Sequence, residues 1–256
     1  MPFIVDDEPT HLDDGLKGLV QRTHLYGARP FAKPVDFTPY PRSEWQRLIA
    51  QQEADQSSLV HLADFYGLPV KDQNGTNYCH ANSPARAVEL LRLKMNQSAV
   101  TLSPASIGGP VTNYKNDGAL IDDDLEVLVE RGCCTTDFLG PNEISRSKNE
   151  APAAVANAAL HKCDEWYDLG WRDEQPKMFD LVATLLLNNI PICTAHNFWS
   201  HAVTAVRLVY VNGKFGFVID NSWGSSWGEN GRGVLMEGKG TPDYAYAPRS
   251  TIASIA

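Results

Sequence analysis

The side chains best suited to covalent chemistry are a cysteine, a histidine, an asparagine and a glutamine. Cys79 closes the run QNGTNYC, which begins at Gln73 and leads into HANSPARAVELLRLKM, a stretch with helical spacing of its apolar residues. His201 and Asn221 lie far downstream, within HAVTAVRLVYVNGKFGFVIDNSWGSSWGENG. A cysteine opening a helix is a good nucleophile, because the thiolate is the reactive form and its pKa falls at a helix N-terminus and beside an imidazolium. A histidine must be held in one tautomer to move the proton, and the amide oxygen of Asn221 is able to hold it. The chemistry this set can carry is thiol-based acyl transfer.

On these residues the chain resembles the papain-like cysteine proteases. A glutamine stands six residues before the cysteine, a histidine opens a strand as HAV, and the asparagine sits in Asn221-Ser222-Trp223-Gly224 followed by Trp227-Gly228-Glu229 and Gly231. The similarity runs from about Pro69 to the end. It implies that Cys79 is the nucleophile, His201 the general base and acid, Asn221 the group that orients the histidine, and Gln73 an oxyanion donor beside the Cys79 amide. It also implies that the indole of Trp223 shields the His-Asn hydrogen bond, that Asp117 and Gly118 flank the substrate backbone, and that Ser200 is a wall of the substrate pocket. No metal or organic cofactor is implied. Taken alone, the glycines are equally explained by turns, Asn221 by a strand end, and His80 and His196 by packing.

The sequence departs from the family at several places. Secreted members bond a cysteine three residues before the nucleophile to one in a CNGG turn; here those places hold Thr76 and Lys115, the latter in Lys115-Asn116-Asp117-Gly118. Both halves of the bridge are absent together, as expected of a coherent non-disulfide variant. The tryptophan that usually follows the nucleophile is His80. The stretch LSPASIGGPVTNYKNDGAL is similar to the phage- and bacteria-type branch of the family.

Composition narrows the alternatives. A net charge of -9 disfavours nucleic-acid and anionic-membrane partners. No apolar run approaches the ~20 residues that span a bilayer. The acidic start MPFIVDDEPTHLDD does not read as a signal peptide, so a cytoplasmic protein is expected, or a virion-associated one if the fold serves an assembly. The five cysteines form no spaced framework or metal-ligand pattern and are expected to be reduced.

The elements that must position the site follow from periodicity. Helices are predicted in SEWQRLIAQQEADQ with Ser43 as N-cap, from 81 to 97, from Asp122 to Arg131, from Pro152 to Lys162, and from Pro176 to Asn188 after a Trp-containing loop. Pro84 is expected to kink or restart the second of these near Ser83. Past Pro191, ICTAHNFW, AVTAVRLVYV, KFGFVID and GVLMEG read as strands, with Asn212-Gly213 as a hairpin turn. Helices first and strands later make an α+β chain. With the resemblance this is a papain-like two-lobed fold: an N-terminal arm over 1–57, then a peptidase domain over 58–256, helical to about 150 and β-rich beyond, with the cleft between lobes.

Prolines at 30, 34, 39 and 41 make the arm an extended segment laid over a surface, either inhibiting the cleft or docking on a protein partner. Two functions are carried forward. The first is a peptidase acting through a Cys79 acyl-enzyme, with acyl transfer to amines as a chemical neighbour. The second is a catalytically idle papain-like scaffold within a larger assembly such as a virus particle.

Overall fold

The computed structural model describes residues 2–5, 16–22 and 29–250. Among them, α1 (Arg42–Ala54), α2 (Leu59–Phe65), α3 (Cys79–Lys94), α4 (Ala105–Val111) and α5 (Ile121–Glu130) come before most of the strands. Short helices α6 (Arg146–Asn149) and α7 (Pro152–Ala158), then α8 (Met178–Leu187), follow along the chain. The strands are β1 (Ala32–Pro34), β2 (Trp166–Trp171), β3 (Ile192–His196), β4 (His201–Val211), β5 (Lys214–Asp220), β6 (Arg232–Met236) and β7 (Tyr244–Pro248). The described strands form one sheet in the order β1-β2-β7-β3-β4-β5-β6. Only β1 and β2 pair in parallel; the other pairings are antiparallel. The Asn212-Gly213 hairpin forms as expected, both residues at positive φ (52° and 79°), as a type I′ turn requires.

Helix α3 is the central element, and every residue from Cys79 to Leu91 in it is buried. The restart expected at Pro84 does not occur: α3 runs unbroken through it. Proline removes one backbone bond, but packing on β4 holds the segment. Ser83 Oγ donates to the Val203 carbonyl at 2.8 Å, and Thr204 Oγ1 donates back to the Ser83 carbonyl at 3.1 Å. The Asn82 side chain closes the first turn by donating to the Tyr78 carbonyl at 2.7 Å. This lacing fixes the start of α3 against the start of β4, and so the lateral position of Cys79 relative to His201.

Three other expectations are corrected. Ser43 is not the N-cap of α1; Pro41 takes that place without a side-chain cap bond. The Trp-containing loop begins as strand β2, whose Asp168 and Tyr246 of β7 are register partners. The first strand past Pro191 stops at His196, and residues 197–200 turn back into β4. Helix α5 matches its prediction, with Asp122, Asp123 and Asp124 in its first turn and Gly132 just beyond it at φ +84°.

One core lies between α3, α5 and β7, and includes Tyr78, Ala85, Leu125 and Tyr246. A second packs α1 and α8 on the sheet through Trp45, Phe179 and Phe217. A third gathers Trp199, Val203, Ile219, Trp227 and Leu235 around Val5. Residues 2–5 lie beside β6: Ile4 bridges Val234 in parallel, and the Phe3 carbonyl accepts from the Val234 amide at 2.8 Å. All five cysteines are free thiols. Where the resemblance would place a disulfide, Asn116 ties the two loops instead. Its Oδ1 accepts from the Asn77 amide at 2.7 Å and its Nδ2 donates to the Gly75 carbonyl at 2.9 Å.

Candidate active site

Cys79 opens α3 and is wholly buried. Backbone amides of Ala202, Gly18 and His80 reach its sulfur, the Gly18 amide at 3.2 Å. Burial pushes the thiol up to about 11, and those three amides pull it only partly back. Ala202 follows His201 directly, so the start of β4 lies against the sulfur.

His201 Nε2 lies 2.7 Å from Asn221 Oδ1, which also accepts from the Ser222 amide at 2.8 Å. The second bond fixes the Asn221 amide with its oxygen toward the ring, so Nε2 carries the hydrogen. Nδ1 is then the free base, buried and without a hydrogen-bond partner among the described residues. Trp223 lies over the ring at 4.7 Å and Trp199 meets it edge-on at 4.8 Å. Burial lowers the imidazole to about 4; the Asn221 hydrogen bond works upward and the Lys17 charge downward. At neutral pH the sulfur keeps its proton and the ring stays neutral.

Gln73 reaches the site from the loop before α3. Its amide N–H donates to the Ser222 carbonyl at 2.7 Å, and Ser222 Oγ donates to Gln73 Oε1 at 2.6 Å. With Oε1 engaged, Nε2 becomes the donor directed elsewhere, to the Thr76 carbonyl at 2.8 Å and the Leu16 carbonyl at 2.9 Å.

The second of those acceptors belongs to the N-terminal arm, whose residues 16–22 lie in the chain's own cleft. The Leu16 carbonyl also takes the Trp223 indole N–H at 3.0 Å. Leu19 bridges Ala119 in parallel: the Ala119 amide donates to the Gly18 carbonyl at 2.9 Å, and the Val20 amide donates to the Ala119 carbonyl at 3.0 Å. Leu19 donates to the Ser200 carbonyl at 3.3 Å, and Gln21 Nε2 donates to Ser200 Oγ at 2.9 Å. The fit at Gly18 is tight, since a Cβ there would stand 1.5 Å from the Asn77 carbonyl oxygen. A Cβ on Gly118 would stand 2.2 Å from the Gly18 carbonyl oxygen.

Cys79, His201, Asn221, Gln73 and Trp223 thus converge, and Gly118 and Ser200 line the cleft that holds the arm. Asp117 is exposed on the turn leading into Gly118. Sequence reasoning did not name Ala119, whose backbone pairs with the arm, or Asn197, which clasps the Arg22 main chain from both sides. Ala119 acts through its backbone, so its side chain carries no sign of the contact. Asn197 sits in a turn where asparagine is ordinary. His80 is fully buried, its Nδ1 2.5 Å from Asp124 Oδ2, and His196 Nε2 lies 3.1 Å from Thr194 Oγ1; both are packed groups.

The fold is papain-like. The chain resembles xylellain, a cysteine protease from Xylella fastidiosa, with a TM-score of 0.61 at 19% identity over 92% of this chain and 97% of that one. It also resembles digestive procathepsin L 3 of Tenebrio molitor, with a TM-score of 0.61 at 19% identity over 94% and 77% of the two chains. In sequence it is 27% identical over 186 residues to the oryzain beta chain of Oryza sativa subsp. japonica, covering 66% of this chain and 39% of that protein. With cathepsin K of Mus musculus the identity is 23% over 230 residues, 83% of this chain and 66% of that protein. The chain thus spans about two fifths of the length of the plant relatives it matches. No family model matches it. Among the described residues, no helix is long and apolar enough to cross a membrane.

Proposed function

We propose that the chain is a cysteine peptidase of the papain-like type, described here with its cleft held by its own residues 16–22. The observation that carries this reading is the contact between a peptide backbone and the candidate machinery: the Gly18 amide on Cys79 Sγ and the Leu16 carbonyl on Gln73 Nε2. A site that grips a peptide main chain over a cysteine and a histidine is suited to attack peptide bonds. In the open enzyme, His201 Nδ1 takes the thiol proton and the thiolate attacks the substrate carbonyl. Gln73 Nε2 and the Cys79 amide stabilise the oxyanion, and the imidazolium protonates the leaving amine. Water, activated by the same ring, then releases the acyl group.

The arm escapes this fate by its placement. An N–H, not a carbonyl carbon, faces the sulfur, and the segment lies parallel to residue 119. It also keeps the dyad neutral, by burying it and by placing the Lys17 charge near the ring. Arg29, on the same arm, grips the acidic start of α5 through Asp123 at 2.8 Å and Glu126 at 3.0 Å. The missing disulfide and the likeness to xylellain support placing the chain with bacterial-type members.

The filled cleft and neutral dyad also favour a second reading, an idle scaffold. Gly18→Val separates the two, because its side chain collides with the Asn77 backbone and expels the arm. Return of the Cys79 thiol from about 11 toward 9.0 raises the thiolate fraction about a hundredfold at neutral pH. Iodoacetamide labelling of Cys79 and hydrolysis of a mixed peptide library should both rise in this variant. Fast labelling without hydrolysis supports a scaffold.

A further inference from the structure

The arm places one more side chain that blocking the sulfur does not require. Arg22 is only 2% exposed, although it lies in a segment whose Leu16 and Val20 are 45% and 47% exposed. Its guanidinium carbon lies 5.0 Å from the centre of the Tyr244 ring, and Nη1 lies 3.5 Å from Tyr246 Oη. Residues 244 and 246 alternate along β7, so both face the same side of the sheet. Trp171 stacks on Tyr244 at 6.5 Å. On β2, Asp168 is the register partner of Tyr246. Asp122 at the start of α5 is fully buried; Arg29 Nη2 reaches its Oδ2 at 3.5 Å, and its Oδ1 has no hydrogen-bond partner among the described residues. The Arg22 charge is felt in this pocket: burial holds Asp168 and Tyr246 above their ordinary pKa values, and the guanidinium draws both back down.

These walls suit a guanidinium better than any neutral side chain. Aromatic faces attract a cation, the planar head stacks where an ammonium cannot, and the Asp122 carboxylate lies where water is sparse. An apolar occupant would take the guanidinium away from Asp168 and the Tyr246 hydroxyl, and would leave Asp122 with a single ion pair, to Arg29. We infer that, once residues 16–22 leave, the pocket of Tyr244, Tyr246, Asp168 and Asp122 is a recognition subsite for an arginine side chain of the peptide substrate. The inference rests on the peptidase reading above and adds the substrate class to it.

The test uses the full chain carrying Gly18→Val and Arg22→Gln, so that neither the arm nor its arginine fills the site. Fluorogenic peptides are scanned with arginine or citrulline at each position, citrulline keeping the shape without the charge. At one position arginine should exceed citrulline at least tenfold in kcat/KM, mostly through KM. Asp168→Asn should reduce that preference to threefold or less, as should Tyr246→Phe in part, the second guarding against a folding defect in the first. Hydrolysis with arginine and citrulline within twofold at every position overturns the subsite and leaves the peptidase reading standing. If no peptide is cleaved, the peptidase reading fails and calorimetry decides the pocket, using the synthetic peptide of residues 16–22 with arginine or citrulline at its end. Tenfold weaker binding of the citrulline peptide sustains a guanidinium site; equal binding overturns it.

Discussion

Two sets of buried polar side chains meet at neighbouring residues, Asp220 and Asn221, and the fold treats them in opposite ways. Around Asp220 every charge is matched. Arg86 Nε and Arg232 Nε each reach its carboxylate at 2.7 Å, Arg86 Nη1 reaches Glu89 at 3.2 Å, and Arg232 continues to Asp64 at 2.8 Å. Lys71 joins Glu89 and the Leu102 carbonyl, whose own amide returns to Glu89 at 2.7 Å. One residue on, Asn221 holds His201 by a single bond, and the other ring nitrogen and the Cys79 thiol remain neutral. Burial would raise the Asp220 carboxyl, yet Arg86 and Arg232 hold it below its ordinary value; beside Cys79 and His201 the described residues offer no such partner, and burial prevails. The first set is built to be satisfied, which fixes α3 on β5. The second is left short of partners, and an under-satisfied base beside a thiol is what a reaction can use.

The contrast breaks if the two sets respond alike to mutation. In the arm-displaced Gly18→Val chain, His201→Ala should lower peptide turnover on the order of 10⁴-fold or more, since it removes the proposed general base. Its unfolding free energy in urea should stay within about 1 kcal/mol of the parent, because the ring has one polar partner to lose. Asp220→Ala should do the reverse at the level of stability, costing about 3–5 kcal/mol by leaving two buried guanidinium groups uncompensated. Equal destabilisation by both substitutions would refute the division. Gln73→Ala should lower kcat by about 10²–10³-fold, the usual cost of one oxyanion donor. Ser222→Ala should have a smaller effect of the same kind, up to about tenfold, by freeing the Gln73 amide to rotate away from the orientation that Ser222 Oγ imposes.

How much of this the sequence revealed depends on how local each cause is. The order of helices and strands, the hairpin at Asn212-Gly213 and the pairing of His201 with Asn221 were legible, because each is marked by periodicity or by a short spaced motif. Pro84 misled, since a local rule predicts a break and the contacts that override it come from Val203 and Thr204, far along the chain. Strand β2 was hidden because WYDLGW sits between charged residues and pairs with β1 and β7 from distant parts of the chain. Asn116 standing where a disulfide would tie the loops was likewise invisible, as its partners Gly75 and Asn77 lie in another loop. The prolines predict an extended arm but do not choose between inhibition and docking on a partner. The contacts of Leu16, Gly18 and Leu19 bring it to this chain's own cleft, and a glycine at which an added Cβ would stand 1.5 Å from the Asn77 carbonyl oxygen looks, in sequence, like any other.

The finest test of the comparison is pH, because the neutral dyad should titrate while the matched network stays fixed. In the docked chain burial and Lys17 hold His201 near 4, against an ordinary value of 6.5. With the arm displaced the ring is free to take up a proton at the higher value. Between those limits the displaced form binds a proton that the docked form does not, so docking is favoured above pH 6.5 and weakens as pH falls, by up to about tenfold per unit, levelling off near pH 4. The protection of the Gly18 and Leu19 amides, taken as the intrinsic exchange rate at each pH divided by the observed rate, should therefore fall on acidification across that window. The carboxylates that hold Arg29 also titrate in acid, and His201→Ala separates them, since only the histidine contribution disappears in that variant. Lys17→Gln should give the smallest change. Removing its charge raises the docked value toward 6.5 and narrows the window from below, so amide protection should fall less on acidification while arm release at neutral pH changes little. An unchanged profile would mean that burial alone, and not the arm's own cation, keeps the ring neutral.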